Sequence, residues 1–177
     1  MKLLRKFIAA IEAMNEKVGY LVSWLTTLMV LIVCYDVFTR YFLKRSSVAV
    51  QELEWHLFAV IFLLGAGFAF KHDRHVRVDL FYAKLSPKGR AWIDLFGALF
   101  FLIPFAALII WTSYTFVHNA FVIRETSPDP GGLPARYILK AALPAGFALL
   151  LLQALAHAGK ALLLILDHPM HAQETQS

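Results

Sequence analysis

Residues 21–38 read LVSWLTTLMVLIVCYDVF and carry no charge before Asp36. A helix that packs beside water keeps one polar face, whereas this stretch is apolar all round. The whole run, Val18–Leu43, reaches nearly 40 Å at about 1.5 Å per residue, more than the roughly 30 Å of hydrocarbon in a bilayer. Outward from it, three further runs repeat the pattern at 48–70, 91–118 and 134–166. The sequence therefore predicts an all-α integral membrane protein with four transmembrane helices.

Composition agrees. The chain of 177 residues is 59% hydrophobic and 16% charged, against about 45–50% and about 25% in soluble domains. The four runs leave no stretch long enough for a separate soluble domain. A single cysteine, Cys34, lies inside the first run, so no internal disulfide or cysteine metal framework is expected. The net charge of +5 comes from basic residues placed mainly between the runs. That placement is a topology signal and does not call for a nucleic-acid partner.

Ahead of the first run, Leu4, Phe7, Ile8, Ile11, Met14 and Val18 recur at helical spacing, with Lys2, Arg5, Lys6, Glu12 and Glu16 largely on other faces. This predicts an N-terminal amphipathic interfacial helix over 1–17, retained because the following run is too long for a signal peptide. The domain reading is then 1–17 interfacial, 18–166 transmembrane and 167–177 a polar cytoplasmic tail. Ser86 is the expected N-cap of the third span, with Pro87 as its first helical residue. Pro104 and Pro144 each remove a backbone donor and are expected to kink their helices. AALPAG, 141–146, is a candidate break that splits the fourth run in two.

With four spans, both termini and the middle loop share one side. That side holds eleven of the 17 Lys and Arg residues, and the other holds six. The positive-inside rule then places both termini in the cytoplasm. Tyr20, Trp24 and Trp92 fall near that interface, and Tyr41, Trp55, Tyr114 and Tyr137 near the opposite one, depths that amphipathic rings favour.

Few residues carry chemistry. Asp36 and Arg40 are four apart on one helix face, and Glu52, Glu54 and His56 sit at about the same outer depth. Charges there are read either as a proton or ion relay or as a polar clamp between helices or to a partner. The clamp is favoured because all five lie near helix ends. Asp94 and Lys160 share the opposite depth and are read either as an interhelical ion pair or as two snorkelling side chains. In the middle loop, KHDRHVRVDLFYAKLSPKGR, the basic residues suit anionic membrane lipids, and His75 and Asp79 lie four apart. The outer loop, RETSPDPGGLPAR, has Pro–Gly turn chemistry, and Glu125 and Asp129 there are candidate contacts to a periplasmic protein. His118 and His157 lie at mismatched depths, which disfavours a bis-histidine haem, and no cofactor is expected. No phosphate loop, nucleophile motif or metal cluster is present in the sequence. No pair of interrupted spans marks a midplane transport site, so the chain does not read as a complete transporter or as an enzyme.

The order DVFTRYFL, QELEWHLF, GAGFAFKHDRHVRVDLFYAKLSPKGR and E-x-S-x-D-x-GGLP resembles the small permease (Q) subunit of tripartite ATP-independent periplasmic (TRAP) transporters over roughly residues 10–160. That resemblance implies a non-catalytic scaffold in the bacterial inner membrane. Its partners would be a large TRAP permease subunit, which moves a carboxylate-bearing solute by sodium-coupled transport, and a periplasmic solute-binding protein. The alternatives are an autonomous four-span exporter, with Asp36 or Glu52 as coupling carboxylate, and a haem-carrying membrane anchor of a redox enzyme.

Overall fold

The computed structural model describes residues 1–72, 82 and 85–171, with side chains through residue 166. Its helices are α1 (Lys2–Phe42), α2 (Val48–Lys71), α3 (Pro87–Gly97), α4 (Ile103–Val122) and α5 (Arg136–His171). A π-helical turn, Ala98–Leu102, joins α3 to α4 without a break. Four helical stretches are long and apolar enough to cross a membrane: Lys2–Phe42, Val48–Lys71, Pro87–Val122 and Arg136–Leu166.

The predicted interfacial helix is not a separate element. Residues 2–42 form one helix of 41 residues, roughly 60 Å long at 1.5 Å per residue. The change from an amphipathic to an all-apolar pattern near Lys17 contains no helix breaker. The apolar stripe of the first turns meets protein: Ile8 and Ile11 are buried against Ala156, with Leu4, Leu152 and Leu163 packed around them.

The fourth run is likewise unbroken, so Pro144 does not split it. Pro104 is accommodated by its neighbour: the turn before it widens, and the Ile103 N–H donates to the Ala98 carbonyl. A π turn gives the proline ring room that the regular ladder lacks. Ser86 caps α3 as expected, its Oγ accepting from the Gly89 N–H at 3.2 Å, with Pro87 in the first turn.

Helix α5 lies at the centre and touches every other helix, with α1 and α2 on one flank and α3–α4 on the other. Among the described residues α3–α4 makes no comparable contact with α1 or α2. The spans therefore form an open layer around α5 and not a closed four-helix bundle. Small residues make the close approaches possible. Ala142, Ala154, Ala156, Ala158 and Ala161 are the buried apolar residues of α5. At Gly146 a Cβ would stand 2.5 Å from the Leu63 carbonyl oxygen of α2. Lipid tails are as apolar as leucine, so association in a membrane depends on such close backbone packing and on interhelical hydrogen bonds.

Openness leaves the outer faces uncovered. The most apolar window of each span is only 11%, 6%, 11% and 28% buried, in chain order. On α3–α4 an aromatic ladder, Trp92–Phe96–Phe100, stacks along the surface, and Phe101 and Trp111 stand almost fully out.

Candidate functional site: two polar clusters at the ends of the spans

Between Lys17 and Asp36, Glu54 and Lys71, Asp94 and Arg124, and Lys140 and Lys160, the spans contain no Asp, Glu, Lys or Arg. The charged side chains are gathered at the two ends of the helices.

At the end carrying the 123–135 connection, one carboxylate organises the site. Glu52, in the first turns of α2, is 4% exposed. It accepts from Ser127 Oγ at 2.5 Å, from the Leu133 backbone N–H at 2.6 Å and from Arg136 Nη2 at 3.0 Å. A buried carboxylate is tolerated when paired and when its lone pairs are filled, and here a loop and a helix start supply both. The connection is shaped to do this. The Ser127 N–H donates to the Leu133 carbonyl, the Gly132 N–H to the Asp129 carbonyl, and the Arg136 N–H to the Glu125 carbonyl. Gly131 adopts φ 79°, a left-handed conformation that glycine takes without steric cost. A Cβ on Gly132 would lie 2.8 Å from Glu52 Oε2, so only glycine lets the backbone close over the carboxylate. The Arg136 guanidinium also sits 5.5 Å from the Trp55 ring centroid, a cation–π contact.

The other residues predicted at this end have distinct positions. Asp36, 2% exposed, pairs with Arg40 on its own helix as its spacing foretold. Asp36 and Glu52 thus serve different partners. One buried oxygen of Asp36 and one of Glu54 have no hydrogen bond among the described residues. His56 turns back, its Nδ1 2.5 Å from the Glu52 carbonyl oxygen, and its ring packs on Trp55. Glu125 pairs with Lys140 at 2.5 Å. Asp129 contributes its backbone to the turn, with an exposed residue surface. Ser127, Gly132, Leu133 and Arg136 are the partners that sequence reasoning missed. The signal was present in the GGLP-x-R pattern beside a buried glutamate, but the bonds join residues 75 to 84 apart.

At the opposite end the charges are spread. Lys71 donates to Glu16 at 2.5 Å and to the Glu12 carbonyl at 3.2 Å, and His72 Nε2 lies 2.9 Å from Glu16. The Asp94–Lys160 ion pair does not form. Lys160 pairs with Glu12, while Asp94 accepts from the Tyr82 hydroxyl at 2.7 Å and lies 3.8 Å from His157. The continuous α1 brings Glu12 alongside α5, a partner hidden while 1–17 is taken as a separate element. Deeper in, Asn15 (1% exposed) donates to Gln153 (2% exposed) at 3.0 Å, stitching α1 to α5. His75 and Asp79 lie outside the described residues.

Comparison with known proteins decides the family. Residues 29–163 match the DctQ component of tripartite ATP-independent periplasmic transporters. The chain belongs to this family. It is also 28% identical over 121 residues to a sialic acid TRAP transporter small permease protein, SiaQ, of Vibrio cholerae. That match covers 68% of this chain and 66% of the relative, just under two thirds of the relative's length. The DctQ component is part of a transporter and not an enzyme. Together with the four apolar helices, the family makes this a multi-pass protein of the inner membrane. The matched region holds the whole Glu52 clamp and the Asp36–Arg40 pair. Glu12, Asn15 and Glu16 precede it.

Proposed function

We propose that this DctQ-family chain is the non-catalytic scaffold that holds a large permease subunit in the membrane. The assembly imports a carboxylate-bearing solute, delivered by a periplasmic solute-binding protein and driven by sodium. The observation that carries this reading is the open helix layer: each span leaves most of its apolar surface uncovered, while the charged side chains are gathered at the helix ends. A transport site needs polar groups near the bilayer centre, and the spans carry no acidic or basic residue there. The excess of basic residues on the side of the termini supports an orientation with both termini in the cytoplasm. The exposed Asp129 turn then faces the periplasm, where a binding protein would approach.

Co-purification tests the proposal. The tagged chain, expressed beside the genes that neighbour its own and extracted in mild detergent, is expected to bring down a large multispan permease in fixed stoichiometry. Solute flux through liposomes holding this chain alone would overturn the scaffold role.

A further inference from the structure

We propose that the cavity at the N-terminal end of the helix layer binds the headgroup of an amine-bearing phospholipid, of the phosphatidylethanolamine type. The cavity, of about 360 Å³, lies between α1, α3 and α5 and is capped by Lys71 of α2. That volume falls in the range of sites built for small ligands, roughly 300–1,000 Å³.

Gln153 at the cavity wall is the first indication. The residue is 2% exposed on a helix otherwise apolar at this depth. Its carbonyl accepts from Asn15, and the residue lines the cavity. An amide donor at the wall of a cavity can bond an oxygen of a bound molecule.

Charge gives the class of ligand. Lys71, Arg90 and Lys160, from three different helices, line the same cavity as the carboxylates of Glu12 and Asp94. Cations and carboxylates side by side complement a zwitterion: the phosphodiester takes the lysine and arginine donors, and the ammonium takes Asp94. Asp94 is suited to this because its described partners, Tyr82 and His157, both approach a single oxygen, Oδ2.

Setting gives the source. The cavity opens at the end of two membrane spans, where Ala161 and Leu164 form part of its apolar wall and Leu164 is 46% exposed. Trp92, at the depth that interfacial rings prefer, stands exposed on α3. Acyl chains leaving such a headgroup would lie along the uncovered faces of α3 and α5. Basic pockets between spans at a membrane surface are a recurring form of headgroup site.

Native mass spectrometry tests this on the full chain, with any permease that accompanies it, after detergent exchange and titration with single lipids. One phosphatidylethanolamine is expected to be retained about tenfold more tightly than phosphatidylcholine, whose quaternary amine donates no hydrogen bond. That ratio corresponds to about 1.4 kcal/mol. Asp94→Asn is expected to abolish this preference, and Lys160→Gln with Arg90→Gln to lower retention of both lipids. Lys160→Arg, which keeps the charge, should bind like the wild type, and helical content by circular dichroism must stay unchanged in every variant scored. Equal affinity for soluble phosphoethanolamine would assign the cavity to a free phosphate compound and overturn the lipid reading. Lipid retention indifferent to all these variants would mark it as annular lipid only and overturn it equally.

Discussion

The two ends of this helix layer handle charge in opposite ways. At the loop end, Glu52 is almost wholly enclosed and three donors converge on it from one loop and one helix start. At the other end, pairs are spread over four helices and remain partly open, as with the Lys160 side chain, 54% exposed, against Glu12. Enclosure makes the difference in energy. A partly buried charge that loses its partner is rehydrated, whereas an enclosed one is stranded. The first end is a lock that fails as a unit; the second is a set of contacts that yield one at a time.

The comparison is most easily broken at Glu52. Glu52→Ala leaves Arg136, Ser127 and the Leu133 N–H without their acceptor and is expected to cause the greatest loss, with little folded chain surviving extraction. Glu52→Gln keeps one acceptor and should fall between that variant and the wild type in melting temperature. Next, Gly146→Val drives a side chain against the Leu63 backbone and should destabilise by about 3 kcal/mol, as overpacking at a helix contact does. That change acts equally on both ends, so it serves as the reference for the others. Gln153→Leu removes the side-chain acceptor of Asn15, leaving it the longer contacts to the Ile11 and Leu149 carbonyls, and should cost about 1–2 kcal/mol. It is also expected to loosen the start of α1, read as faster amide exchange over residues 4–15. Smallest of all, Lys160→Gln in the absence of added lipid should shift stability by less than about 1 kcal/mol. If it matches Glu52→Ala in size, the contrast between the ends is wrong.

How much of this was legible in the sequence follows from the range of each interaction. The spans, the Ser86 cap and the Asp36–Arg40 pair are local, set by residues within a few positions of each other. The Glu52 lock is not local: helical spacing tells which face Glu52 occupies but not that a loop some 80 residues later closes over it. Asn15 and Gln153 are polar residues in apolar surroundings, yet nothing in either segment says they meet. The continuity of α1 was misread for a related reason. Its pattern changes at Lys17 because its neighbours change from α5 and water to α2 and bilayer, while the backbone continues.

The wide turn at Ala98–Leu102 carries a consequence for insertions and deletions. It holds one residue more than a regular turn. The extra residue is absorbed within the wide turn, so deleting one residue there would restore ordinary pitch and leave α4 at nearly its present rotation to α3, whereas deleting one in the regular turns of α3 would rotate α4 by about 100°. After a deletion in α3, Phe105 would swing away from Phe147, its edge-on partner on α5, and the buried Ala106 and Ser113 would turn outward. A chain one residue shorter in α3 would keep its hydropathy yet present the wrong side of a whole helix to its neighbour, while the same loss at the wide turn would be absorbed.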